Sequence, residues 1–300
     1  MYTRPTISSG KLLIHIVKRI IFFTLYSVII YFLYHTYEKH RLAIPLSIET
    51  ILGTAISILL GFRTSAAYER WWEARIIWGS IINESRTLIR QALGFIASGD
   101  TKENEVGKLA RYQIAWCFSL TSRLRNLPVS PEVKSNLSTE EYASLSDHEN
   151  VPNAILKFMQ GHLSGLYREG KVDSYHYAAM DQTLRAQCDN MGKCERIKNT
   201  VFPVFYTFFT QTAIIIFALL LPFSLVAKVG AYMVLITGIV VGTFSVIEMI
   251  AKYLQDPFEN RPSDVAMTAI SRSIEINLRQ MVGASDIPES IKPDKKGILM

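Results

Sequence analysis

Thr54, Ile58 and Phe62 recur every four residues within an apolar run from Ile51 to Phe62, so on a helix they form one stripe. Around a shared axis, a ring of such side chains dewets, and a dewetted apolar constriction resists ions until it widens. The same spacing suits plain packing of a helix inside a bundle, and periodicity leaves both readings open. One position back, Gly53, Ser57 and Gly61 form a stripe of small residues. In a membrane, small residues let two backbones approach closely, which marks this stripe as helix packing.

Beyond Phe62 the run passes without a breaker into Arg63, then Glu69-Arg70-Trp71-Trp72-Glu73-Ala74-Arg75, so the helix is predicted to leave the membrane and keep going. Arg63, Arg70 and Arg75, with Trp71, Trp72 and Trp78, read as a basic flank with tryptophans at headgroup level. Attraction of anions by the arginines is the alternative, and Glu69 and Glu73 at helical spacing blunt it.

Other chemistry is sparse. His15, His35, His40, His148, His162 and His176 make no HExxH pattern, Cys188 and Cys194 lack a histidine at zinc-site distance, and no GxSxG, Walker or dinucleotide motif occurs. Neither an enzyme, a cofactor nor a metal site is expected. Asp256, Glu259 and Asp264 gather near the end of the last apolar run, but their spacing is not that of an EF-hand and Arg261 sits among them. Caps and solvated charges are the expectation there. Glu248 lies inside that run, with Lys252 one turn on as its expected partner. Cys117, Cys188 and Cys194 form no CxxC pair, which argues against a disulfide framework.

The elements that must position these residues follow from where apolar residues cluster. The chain has 300 residues, 49% hydrophobic, with a net charge of +6. Four runs read as spans: Ile20 to Tyr34, Ile48 to Phe62, Val201 to Val226 and Val229 to Ile250, the first two short against the roughly 20 residues that cross a hydrocarbon core. Lys18 and Arg19 before the first run resemble a secretory signal, yet Tyr34-His35-Thr36-Tyr37-Glu38-Lys39 offers no small-residue cleavage site. That run is therefore an anchor, with Tyr31, Tyr34 and Tyr37 as an interfacial belt. Lys and Arg collect before spans one and three and after spans two and four, which predicts that both termini and the long middle region are cytoplasmic. The same bias accounts for a basic balance that in a soluble chain would suggest nucleic acid.

The expected organisation is a cytoplasmic N-terminal segment (1–19), transmembrane helices 1 and 2 (20–62), a cytoplasmic helical region (63–200), transmembrane helices 3 and 4 (201–254), a cytoplasmic C-terminal helix (255–283) and a mobile tail (284–300). Within the middle region, helices are predicted over Ile76 to Phe95, Glu103 to Leu127, Asn153 to Arg168 and Tyr175 to Asn190, with Pro128 to Asn150 a surface linker. Pro203 and Pro222 are tolerated as boundaries or kinks of span three, and Ser263-Asp264 after Pro262 is the predicted cap of a final helix reaching Met281. No strand-like alternation and no internal repeat is evident.

Taken in order, Leu60-Gly61-Phe62, Arg70-Trp71-Trp72 and Asp256-Pro257-Phe258, with four spans around a helical insertion, resemble the bestrophin family of ion channels, most of all its short bacterial members, over about residues 10–283. The resemblance implies an all-α membrane protein: four transmembrane helices and a large cytoplasmic helical region per chain, assembled as a homopentameric channel around a central pore in a bacterial inner membrane. The family's hydrophobic neck matches Thr54, Ile58 and Phe62, and its cytoplasmic aperture falls by position at Val172. Partners implied are other copies of the chain, the lipid bilayer and permeant inorganic ions: chloride and other anions by family, or monovalent cations such as sodium. Two departures stand out. Thr54 carries a hydroxyl in a neck that is usually apolar, so a softer barrier to water is expected at that level. Glu259-Asn260-Arg261-Pro262-Ser263-Asp264 replaces the run of aspartates that clasps calcium in animal members, so calcium activation is not expected. The competing class is a membrane signalling or scaffold protein without conductance. A secondary carrier would need broken helices and inverted repeats, and neither is visible.

Overall fold

The computed structural model describes residues 10–36, 43–98, 102–200, 202–294 and 297–299, and among them the regular elements are all helical. In chain order these are α1 (Gly10–Thr36), α2 (Leu46–Phe95), α3 (Lys102–Leu124), α4 (Pro131–Ser135), α5 (Thr139–Ser144), α6 (Val151–Arg168), α7 (Ser174–Asn199), α8 (Val204–Val229), α9 (Tyr232–Leu254) and α10 (Met267–Met281). Among the described residues, α1, α2, α8 and α9 are long and apolar enough to cross a membrane. Contacts divide the chain into two compact units, one drawn from residues 7–70 and 201–256, the other chiefly from residues 71–200 and 257–300.

The first unit holds α1, the beginning of α2, α8 and α9. Gly238 and Gly242 sit four residues apart on α9, and a Cβ added to them would lie 3.0 Å from Thr24 Oγ1 and 3.0 Å from Ile20 Cδ1, so any larger residue would push these α1 side chains back. Pro203 stands at the N-terminal boundary of α8 and Pro222 lies inside it. The chain turns from α8 into α9 at Gly230, whose φ of +55° suits glycine, while its N–H donates back to Val226 O at 3.3 Å. Tyr206 of α8 donates its hydroxyl to Leu59 O of α2 at 2.8 Å.

The second unit is built around α3, which is buried along most of its length by the later part of α2 and by α6, α7 and α10. Trp78, Ile81, Leu88, Trp116, Phe118, Leu120, Ile155 and Met159 fill its interior. Two polar contacts cross the interior from α3: Gln113 donates to Ser85 Oγ at 2.8 Å, and Thr121 Oγ1 meets Ser271 Oγ at 3.1 Å, while Gln113 Oε1 and Trp116 Nε1 are buried without a hydrogen-bond partner among the described residues. Arg272 of α10 binds Glu132 at 2.9 Å and Glu275 at 2.7 Å, and Glu275 also accepts from Arg279 at 3.0 Å.

Three boundaries differ from the sequence reading. The stretch from Pro128 to Asn150 holds α4 and α5, the latter started by a reciprocal capping box in which Ser138 Oγ accepts from Glu141 N–H and Glu141 accepts from Ser138 N–H. Helix α7 runs on past Asn190 to Asn199, because Gln187, Asn190, Met191, Cys194 and Ile197 continue one buried stripe whose amides hide it from a hydropathy scan. Ser263-Asp264 does not cap the last helix, which starts after Ala266. Asp264 is buried and accepts instead from Arg261 N–H at 3.0 Å, closing its own turn, and burial raises its carboxyl above the usual range.

Candidate functional site

Helix α2 is unbroken over 50 residues. On the part belonging to the first unit, Ile56, Leu60, Arg63 and Ala67 are buried at helical spacing, whereas Ile58 is 55% and Phe62 68% exposed, with Thr54 on the same outward face. The predicted stripe therefore lies off the chain's own core, and packing within a single bundle does not account for it. Hydroxyls along this segment are satisfied by the helix itself: Thr50 donates to Leu46 O at 3.0 Å, Thr54 to Thr50 O at 2.8 Å, Ser57 to Gly53 O at 2.8 Å and Thr64 to Leu60 O at 2.8 Å. With its proton committed to the backbone, Thr54 presents its methyl and only an acceptor oxygen outward, so its expected softening of the barrier is reduced.

The small-residue stripe divides. A Cβ on Gly53 would lie 3.1 Å from the Phe217 ring of α8, a close approach of the expected kind. Ser57 is exposed, and Gly61 has nothing within 4 Å of its added Cβ. A second close approach is the Gly238-Ile239-Val240-Val241-Gly242 segment against α1, whose spacing was present in the sequence and was not singled out there. Between α2, α8 and α9 an open groove of about 460 Å³ is lined by Glu49, Thr54 and Ile58 on one side and by Phe217 and Phe244 on the other.

The charges of this unit sit unexpectedly deep. Glu49 is 3% exposed and neither carboxylate oxygen has a hydrogen-bond partner among the described residues. Arg63 is 1% exposed, with Nε, Nη1 and Nη2 all lacking one, and its guanidinium lies 6.0 Å from the centroid of the Phe202 ring. It is thus part of the interior, not of a headgroup flank. Glu248 pairs with Arg19 Nη1 of α1 at 2.6 Å in place of the predicted Lys252, because α9 turns that carboxylate toward α1. The signal for the buried pair was the seven-residue spacing of Glu49, Ile56 and Arg63, which puts all three on one helical face. Glu73, expected to pair with an arginine of its own helix, binds Arg196 of α7 at 2.5 Å instead, and Trp71, expected at headgroup level, donates its Nε1–H to Ser263 O at 2.9 Å.

In the second unit Val172 is 2% exposed and belongs to the hydrophobic core. Gly170, at φ +69°, turns the chain out of α6, Lys171 is held by Glu105 at 2.9 Å and Glu169 at 2.8 Å, and Asp173 caps α7 by accepting from Tyr175 and His176 N–H. The same His176 N–H bond, with the His176 ring, holds the Asp173 carboxyl below the usual range. An apolar residue between two polar, anchored neighbours folds inward, so the Val172 side chain packs inside its own chain. Among the described residues no cluster of three or more His, Cys, Asp or Glu stands close enough to hold a metal. Glu259 pairs with Lys198 at 2.6 Å, and Asp256 accepts from Gln255 at 3.2 Å.

Comparison with known proteins places this architecture. The family profile described as Bacterial/Fungal Bestrophin protein matches residues 3–280. The voltage-dependent anion channel-forming protein YneE of Escherichia coli (strain K12) is 31% identical over 286 residues, covering 95% of this chain and 93% of that protein. A voltage-dependent anion channel-forming protein of Nostoc sp. is 31% identical over 283 residues, covering 92% and 90% respectively. The crystal structure of a bacterial bestrophin homolog from Klebsiella pneumoniae superposes with a TM-score of 0.86 at 30% identity, covering 90% of this chain and 100% of that one.

Proposed function

Because the chain belongs to the bacterial and fungal bestrophin family, we propose that it assembles as a homopentamer into a channel that passively conducts small inorganic anions along a central axis. The neck of that path is the outward stripe of α2, with Thr54, Ile58 and Phe62 at successive levels one helical turn apart. The observation that carries this reading is the exposure of Ile58 and Phe62 on a helix whose opposite face is buried: large apolar side chains are turned away from the chain's own core at a fixed spacing. The anion preference is carried over from the relatives named as anion channel-forming proteins. Residues 20–62 and 201–254 lie in the inner membrane in this reading, and both termini with residues 63–200 are cytoplasmic. Neither cofactor nor metal takes part.

Purified protein in a planar bilayer under a potassium chloride gradient tests the proposal. Unitary current steps reversing toward the chloride equilibrium potential are expected, with step size altered in Phe62→Ala. A correctly assembled protein that gives no steps in repeated reconstitutions overturns the proposal in favour of a non-conducting scaffold.

A further inference from the structure

Arg63 has no task in the permeation scheme above, and its surroundings are unusual. Its side chain is buried to 1% exposure and each of its three guanidinium nitrogens lacks a hydrogen-bond partner among the described residues. A guanidinium withdrawn from water without an acceptor is costly, and ionisable groups at membrane depth are kept where their charge is used. Around it, the Phe202 ring at 6.0 Å supplies a weak cation–π contact. Glu248 is within electrostatic reach, but its carboxylate is already bound to Arg19 at 2.6 Å. Two guanidinium groups and one carboxylate leave this cluster with an excess positive charge that nothing in the described unit cancels locally. Glu49, the other buried carboxylate on α2, stands fourteen residues earlier, roughly 21 Å along the helix.

Arg63 directly follows Phe62 in the chain. Its backbone is therefore at the level of the last neck residue, while its side chain points to the buried side of the helix and Phe62 points out. Water and salt screen an exposed charge within about 8 to 10 Å, whereas a charge enclosed in protein is screened much less and acts over a longer range.

We propose that Arg63 determines the sign of the permeant ion: it is a fixed positive charge carried behind the neck wall, lowering the barrier for small anions and raising it for cations without touching either. Glu248 opposes it from α9. The inference rests on the channel reading and adds to it the residue that makes an uncharged constriction discriminate between ions.

The experiment is a reversal-potential measurement in planar bilayers under a potassium chloride gradient for the parent, Arg63→Gln, Arg63→Lys and Glu248→Gln, each first shown to assemble by size-exclusion chromatography. Arg63→Gln is expected to lower the anion-to-cation permeability ratio by well over tenfold, because one unit charge acting across roughly 10 Å at an effective dielectric near 20 changes each ion's passage by more than about tenfold, in opposite directions for anion and cation. Arg63→Lys keeps the ratio close to parental, because it keeps the charge. Glu248→Gln raises the ratio, because it removes the opposing carboxylate and frees Arg19. A conducting Arg63→Gln channel with the parental ratio overturns this inference alone, as does a shift in the same direction in Arg63→Gln and Glu248→Gln. If Arg63→Gln fails to assemble, Glu248→Gln decides, and an unchanged ratio there overturns the inference. A parent without conductance overturns the channel reading and this inference with it.

Discussion

The two halves of α2 have one helical period and opposite surroundings. In the first, Ile51, Ile58 and Phe62 face outward while Glu49 and Arg63 are enclosed; in the second, Trp78, Ile81 and Leu88 are enclosed while Asn83, Arg86 and Arg90 face outward. Helix geometry is the same throughout, so the reversal reports what lies outside the chain. The second half packs a broad apolar stripe against α3 and turns polar side chains outward, although Trp72 and Ile76 near its start stay about half exposed. In the first half the hydrophobic effect gives no reason to hide Ile58 or Phe62, because the medium beyond it is lipid, another copy, or a narrow path.

Substitution in the core against which the second half of α2 packs produces the largest effect. Trp116→Ala, which empties the centre of α3's packing, is expected to lower stability by about 3–5 kcal/mol, measured by thermal unfolding of the detergent-solubilised protein. A loss below that range would mean that the second unit is not held by a single core. Next comes the contact of α1 with α9. Gly242→Leu has no room beside Ile20 and is expected to cost about 1–3 kcal/mol, whereas Gly61→Ala, with open space around it, leaves unfolding unchanged. Altered assembly in Gly61→Ala with unfolding intact would place that glycine between copies. A smaller change in stability, coupled to a functional one, is expected on the outward face: Ile58→Ala shifts unfolding by about 0.5 kcal/mol or less, in keeping with its exposure, yet raises unitary conductance. Equal losses of stability in Ile58→Ala and Trp116→Ala would erase the contrast between the outward face of the first half and the core packed on the second.

The smallest effect is chemical. Burial pushes the Cys117 thiol up to about 12 and Cys194 higher still, so at pH 8 both stay protonated and shielded, while Cys188 is exposed. A thiol-reactive dye at that pH is expected to label one cysteine per folded chain and all three after denaturation. Labelling of Cys117 in the folded protein would show that the core around α3 opens readily.

Much of this was legible in the residues, and the remainder was hidden for physical reasons. Continuity of α2 through Arg63 and Glu69 followed from the absence of a helix breaker, and the common face of Thr54, Ile58 and Phe62 followed from their four-residue spacing, whereas the direction in which that face points did not. Local pattern does not reveal which distant element approaches. Glu248 had Lys252 one turn away, yet α1 supplied Arg19 from the other end of the chain. Position along the chain says nothing of the packing of Val172, which the turn at Gly170 and the capping by Asp173 set by directing it into the core of its own chain. A composition scan reads Arg63 next to Trp71 and Trp72 as a flank, and only its helical phase with Ile56 indicates burial.

The Arg19–Glu248 bond joins residues 229 positions apart. At synthesis rates of about 5–20 residues per second, the first partner waits roughly 10–45 s on a nascent chain before the second exists. Until α9 emerges, α1 also lacks the notch at Gly238 and Gly242 into which Ile20 and Thr24 settle. Closure of this helix pair is therefore a late step: the earliest anchor is threaded first and fastened last, after spending that interval without its partner helix.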